Sequence, residues 1–365
     1  MKITGSAALA TTAAVVLLLT ACSGAHGDRP ANRAGDASRV SAADSSSPPA
    51  TTPTTASTLT PRSTLTPTLT RTPTQAPRTT RAKPTRAKAG RPAVIKPVRR
   101  PRSRVAQLPH GGRTLLPTYR VVAYYGVPHN RALGILGAGS PEHAAQAIER
   151  VSAGYTRFGR PVQPAMEVVA TVAQGSPGRD GSYSAPIPTS DVTEYLKVAK
   201  AHKMLLVLDF QPGRGEFLPQ VKQFAKFLRD PWVGVALDPE WKISPGELPG
   251  REIGHSRAAS INAVSAYLAA LVQRENLPQK LFVVHQFTLR MLPDRAAITR
   301  HRQLALVLHA DGHGSVAAKR EVYRRLAFPR SVGAGFKLFY REDGQLMTPA
   351  EVMALPRRPD LITYQ

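Results

Sequence analysis

Between residues 117 and 365 eight short apolar runs alternate with stretches of helical periodicity, and this alternation is what most constrains the fold. The runs cover 119–125, 165–173, 204–210, 233–238, 281–287, 304–310, 334–340 and 361–365. Helices are expected over 141–152, 190–202, 217–228, 256–275, 294–301, 315–326 and 348–355, with Ser140 and Ser190 as N-caps of the first two and Pro141 at a first helical position. Strand and helix in strict alternation describe an α/β domain built on a parallel sheet. Eight repeats in a domain of this length predict closure into a (β/α)8 TIM-type barrel rather than an open sheet. No glycine-rich phosphate loop follows the first run, which removes the main support for a dinucleotide fold.

In a barrel, chemistry sits at the C-terminal ends of the strands. Here those ends carry Tyr125, Asp209 and Gln211, Asp238 and Glu240, His285 and Gln286, His309 and Asp311, Lys337 and Tyr340, and Tyr364. The fourth run is the most telling. Val233, Val235 and Leu237 share one face of the strand, while Gly234, Ala236, Asp238 and Glu240 share the other, small at its start and acidic at its end. Glu167 lies inside a run that should be buried, so it is expected to pair with a buried cation, Lys337 being the candidate.

Paired carboxylates at one strand end suit glycoside hydrolysis. Glu240 is the expected general acid, with Asp238 raising its pKa by like-charge repulsion. Asp209, Asp311 and Tyr340 complete the expected catalytic set. Tyr125, Gln211, Trp241, His285, Gln286, His309 and Tyr364 are the expected substrate contacts, with Phe210 and Tyr340 as further stacking surfaces. This reading assigns neither cofactor nor metal. A metal-dependent hydrolase or lyase is the alternative, because Asp209, Asp238, Glu240, His285, His309, Asp311 and His313 form a mixed oxygen and nitrogen donor set, although no His-Glu-x-x-His signature is present. A barrel that binds carbohydrate without turnover is a third possibility. Serine and cysteine nucleophile chemistry has no support, for the domain has no Gly-x-Ser-x-Gly elbow and no Cys.

The stretch Val233-Gly234-Val235-Ala236-Leu237-Asp238-Pro239-Glu240-Trp241 resembles the fourth-strand signature of chitinase-like family 18 glycoside hydrolases, Asp-Gly-x-Asp-x-Asp-x-Glu followed by an aromatic residue. The resemblance implies that Glu240 is the acid and that Asp238 holds a substrate acetamido group. Val233 and Ala236 stand where that family has its two earlier Asp residues. More broadly the domain resembles a set of actinobacterial lipoproteins without assigned activity, through its Tyr-Tyr-Gly, Leu-Asp-Pro-Glu-Trp and Val-His-Gln-Phe blocks.

Residues 1–21 read as a signal peptide: Lys2, then an apolar core from Ala8 to Leu19, too short to span a bilayer. Leu19-Thr20-Ala21-Cys22 resembles the bacterial lipoprotein box, which implies lipid on Cys22, the only Cys of the chain. Residues 22–116 then form an expected disordered, basic, Thr- and Pro-rich linker. Residues 23–116 carry about +14 of the formal net charge of +25, including ten Lys and Arg and no acid between Arg81 and Arg104. For an exported protein the partners of such a segment are anionic wall polymers or lipid headgroups rather than nucleic acid. The expected placement is therefore the extracytoplasmic face of the cell membrane, lipid-anchored and monomeric, with a polysaccharide as partner.

Overall fold

The structure is a computed structural model and describes residues 105–365. The expected signal peptide, Cys22 and the expected linker up to residue 104 lie outside the described residues.

The chain runs β1 (Arg120–Gly126), α1 (Pro141–Ala153), β2 (Val162–Ala173), β3 (Ser184–Pro186), α2 (Thr189–Ala201), β4 (Leu205–Phe210), α3 (Phe217–Gln223), α4 (Ala225–Leu228), β5 (Val233–Leu237), α5 (Ala258–Arg274), β6 (Lys280–Gln286), β7 (Leu304–Ala310), α6 (Val316–Leu326), β8 (Gly333–Leu338), α7 (Pro349–Met353) and β9 (Leu361–Tyr364). The strands pair in the order β1-β9-β8-β7-β6-β5-β4-β2, and β1 also pairs with β2. All eight of these pairings are parallel. The sheet therefore closes into the expected eight-stranded TIM-type barrel. The short β3 is an addition, pairing antiparallel with the end of β2 at Thr171–Ala173.

Strand alternation sorts the apolar residues into two cores. One lies between sheet and helices and includes Met166, Phe210, Phe282, Phe336 and Ile362. The other fills the lower lumen with Val121, Ala165, Val207, Ala236, Val283 and Val307. The segment before β1 closes the lumen from below. Leu108 and Leu115 insert into the lumen core, the Gln279 side chain accepts from the backbone N–H groups of Leu115 and Leu116, and Arg113 donates to the Leu277 carbonyl at 2.8 Å. The expected boundary at residue 117 thus falls inside this floor.

Three local expectations give way to tertiary contacts. The helix expected over 294–301 is only a 3-10 turn, Arg295–Ala297. Side chains from neighbouring elements satisfy its backbone instead: Asn262 donates to the Ala297 carbonyl and accepts from Thr299 N–H. The segment expected as one helix over 217–228 breaks at Phe224 into α3 and α4. The second helix begins at Thr189, and Ser190 bonds Asp191 rather than capping the helix. The first helix keeps its Ser140 cap and Pro141 start as expected.

The rim is tied by buried polar links. Gln220 accepts from the Thr171 hydroxyl at 2.7 Å and donates to the Pro212 carbonyl, fixing the turn after β4. On the opposite side Lys319 donates to the carbonyls of Gly312 and Lys337 and pairs with Asp343 at 3.0 Å. Asp343 in turn accepts from the Phe339 and Gly314 N–H groups. The loops after β7 and β8 are thereby held as one unit.

Candidate active site

Above the apolar lumen core lies a charged layer. Tyr125, Glu167, Asp209, Asp238, His285, His309, Lys337 and Thr363 come one from each of the eight barrel strands or the residue directly after it, and each is at most 4% exposed. Register explains the meeting. Tyr125 is opposite Glu167, Asp209 is opposite Ala236, His285 is opposite His309 and Lys337 is opposite Thr363. His309 in turn sits beside Gly335, where a Cβ would come within 2.3 Å of the His309 ring. A glycine at 335 is what lets that ring lie across the lumen.

His285 is the hub. Its Nδ1 lies 3.0 Å from Asp311 Oδ2 and its Nε2 lies 3.1 Å from Glu167 Oε1. Asp209 Oδ1 is 3.9 Å from the same Nε2. Glu167 thus does pair with a buried cation, but with His285 and not with Lys337. The Lys337 ammonium instead sits 3.4 Å from the centroid of the Tyr125 ring. Tyr125 donates its hydroxyl hydrogen to Asp209 Oδ2 at 3.1 Å and accepts from Gln211 Nε2 at 3.2 Å. His309 meets Thr363 through Nε2 at 3.1 Å, while its Nδ1 is buried without a partner among the described residues.

The electrostatics follow from crowding acids in a dry space. Burial pulls His285 down, yet its contacts with Asp311 and Glu167 and the charges of Asp209 and Asp238 outweigh that and hold it well above an ordinary histidine. Burial and the adjacent His285 charge push His309 well below. Burial, resisted by His285 and aided by Glu167, raises Asp209 to about 6. Asp238 is raised well above the usual carboxylate range by burial and then by Glu240. Glu240 rises to about 7 through burial and then the charge of Asp311, with Lys337 and His285 opposing. The repulsion expected from Asp238 thus acts chiefly on Asp238 itself, and Asp311 is the acid that presses on Glu240.

Asp238, Glu240 and Asp311 converge: each offers a carboxylate oxygen within 4.8 Å of the others. Asp238 directly follows β5 and Asp311 directly follows β7. Glu240 stands on the 3-10 turn Pro239–Trp241 and is the only partly exposed member of the three. Asp238 Oδ1 and Asp311 Oδ1 are buried with no hydrogen-bond partner among the described residues, as is Asp209 Oδ1. A second group, His285, His309 and Asp311, also brings ligand atoms within 4.8 Å, but both nitrogens of His285 are already engaged by carboxylates. The first group is the one able to hold a cation as it stands.

The other expected site residues lie elsewhere. Tyr364 points into the outer layer, where its hydroxyl meets that of Tyr155 at 2.6 Å. Gln286 alternates away from the lumen and organises the following turn through Thr288 and Arg295. Tyr340, 40% exposed, packs edge-on against Tyr124 outside the lumen. Phe210 is wholly buried against Phe224 and offers no stacking surface. His313 is exposed beside Phe339. Trp241 does stand beside Glu240, half-buried, with its indole N–H unpartnered. Thr363 escaped sequence reasoning, although its place on the last strand one residue before Tyr364 was available.

No protein-family model and no curated relative matches the sequence. Among solved structures, one that resembles this chain is oxaloacetate acetylhydrolase in complex with the inhibitor 3,3-difluorooxalacetate, at a TM-score of 0.39 and 16% identity over 68% of this chain and 77% of that one. A likeness at that level says nothing of the chemistry at this barrel mouth.

Proposed function

We propose that the barrel mouth is a divalent-cation site serving hydrolytic or lyase chemistry, with Asp238, Glu240 and Asp311 as the protein ligands. One observation carries this reading: three carboxylates converge within 4.8 Å, and two of them keep a buried oxygen without a donor. A buried carboxylate oxygen left bare is costly. A cation bound between the three would satisfy both bare oxygens and offset the repulsion among them. An all-oxygen donor set favours Mg2+, Mn2+ or Ca2+ over zinc or copper. Such an ion would polarise a substrate oxygen or acidify a bound water. Glu240 is the partly exposed ligand of the three, and the Lys337 charge acts on it.

A second reading rests on a separate observation. Glu240 is the one partly exposed acid of the three and follows Asp238 by two residues, on the 3-10 turn just past β5, at the sequence spacing of the family 18 signature. In that reading Glu240 donates a proton to a leaving glycosidic oxygen, and Asp238 positions the substrate. In both readings we infer an extracellular or envelope polysaccharide as substrate and a place on the extracytoplasmic face of the cell membrane through lipid on Cys22.

The test pairs metal analysis with an activity screen. Protein equilibrated with Mn2+, Mg2+ or Ca2+ should retain one ion per chain after desalting. Chitin, peptidoglycan and glucan fragments should be turned over only with that ion, read as new reducing ends or as an unsaturated product. Turnover unaffected by chelator and lost in Glu240→Gln would favour the second reading instead.

A further inference from the structure

Resting on the cation reading, we infer that His285 is a positioning residue that aims Asp311 at the ion. Asp311 directly follows β7, and among the described residues one side-chain partner fixes it: its Oδ2 accepts from His285 Nδ1 at 3.0 Å. With that oxygen held, the remaining oxygen, Oδ1, is left buried and bare. It is this split, one oxygen tied and one free, that a ligating carboxylate requires. The ring that does the tying is itself immobilised. Its far nitrogen is anchored on Glu167 at 3.1 Å, and the rings of His309 and Tyr125 flank it in T-shaped contacts, 4.9 Å and 6.1 Å between centroids. The ring therefore transmits a fixed orientation from β2, across the lumen, to the end of β7.

A purely electrostatic or space-filling role for His285 makes a different forecast, and two amide substitutions separate the cases. The side-chain amide of Asn can occupy the place of Nδ1 and still donate to Asp311. That of Gln reaches the place of Nε2 and serves Glu167 alone. Both are neutral. Mn2+ affinity is measured by calorimetry on the full chain, with circular dichroism confirming the fold. His285→Asn should stay within about three-fold of wild type, whereas His285→Gln should bind at least ten-fold more weakly, the range lost when the partner of a metal ligand is removed. Glu167→Gln leaves the Asp311 contact in place and should also stay within about three-fold; it carries the comparison with His285→Asn if the Gln variant does not fold. Equal weakening of the Asn and Gln variants, or a Glu167→Gln loss as large as that of His285→Gln, would overturn the positioning role while leaving the cation site standing. Wild-type protein that binds no Mn2+ would overturn the cation reading itself, and this inference with it.

Discussion

Lys280 tests whether burial in this barrel has been read correctly. The residue starts β6, is 2% exposed, and donates through Nζ to the carbonyls of Asp230 and Val233, both at 2.8 Å. Burial lowers its pKa from 10.5 to about 7, against the opposing charge of Asp230. The unfolded chain therefore holds this proton up to the ordinary lysine range, while the folded chain has half released it near neutrality. Folded stability is depressed below that point and recovers as pH rises toward 10.5. At 1.36 kcal/mol per unit, the recovery between about pH 7 and about pH 9 is roughly 2 kcal/mol. Lys280→Met removes the ionisation and also strips two carbonyls of a donor, a loss of about 1–3 kcal/mol that does not vary with pH. Urea unfolding of both proteins at the two pH values isolates the titration, since every other group is common to both. The stability difference should move by roughly 2 kcal/mol in favour of wild type as pH rises. A difference constant to within about 0.5 kcal/mol would refute the burial argument.

Three further outcomes are expected. Gly335→Ala places a methyl group 2.3 Å from the His309 ring, so it should cost about 1–3 kcal/mol in thermal unfolding and release the His309–Thr363 contact, visible in the histidine NMR signals. Asp343→Ala leaves the Lys319 ammonium buried without its partner, which should cost about 3–5 kcal/mol and loosen the loops after β7 and β8 in hydrogen exchange; unchanged exchange there would show that the pair does not order the rim. Cys22→Ser should move the protein from the membrane fraction to a soluble one, because the proposed lipid has no other attachment; fractionation like wild type would remove the lipoprotein reading.

The barrel was legible in the sequence because its signal is redundant. Each of eight strands repeats the same apolar run, and the run Val233–Leu237 ends where Asp238 enters the charged layer; Glu240 joins it from a 3-10 turn rather than from the strand face that the alternation predicts. What depended on one residue's neighbours in space was harder to see. Glu167 was recognisable as a buried acid needing a cation, but nothing in the chain between residues 167 and 285 states that β2 and β6 face each other across a closed sheet. Tyr364, Gln286 and Tyr340 were drawn into the expected site because they stand at strand ends. Parity decides otherwise: each neighbours a residue that takes the lumen face or stands past the strand end, where alternation no longer aims the side chain inward. The residues around Arg295–Ala297 favour a helix by themselves, and Asn262, about 35 positions away, overrides them. The same limit hid the convergence of Asp311 on Asp238 and Glu240, which comes from two strands with one between them.

The central claim is that Asp238, Glu240 and Asp311 hold one divalent ion. The most direct measurement is anomalous diffraction from crystals grown in Mn2+, beside calorimetric titration of wild type and Asp238→Asn. The account predicts a single strong peak among the three carboxylates, about 2.0–2.3 Å from an oxygen of each, and binding that is abolished or weakened at least ten-fold in the Asp238 variant. An empty mouth at millimolar Mn2+, or an ion bound equally well after Asp238→Asn, would contradict it.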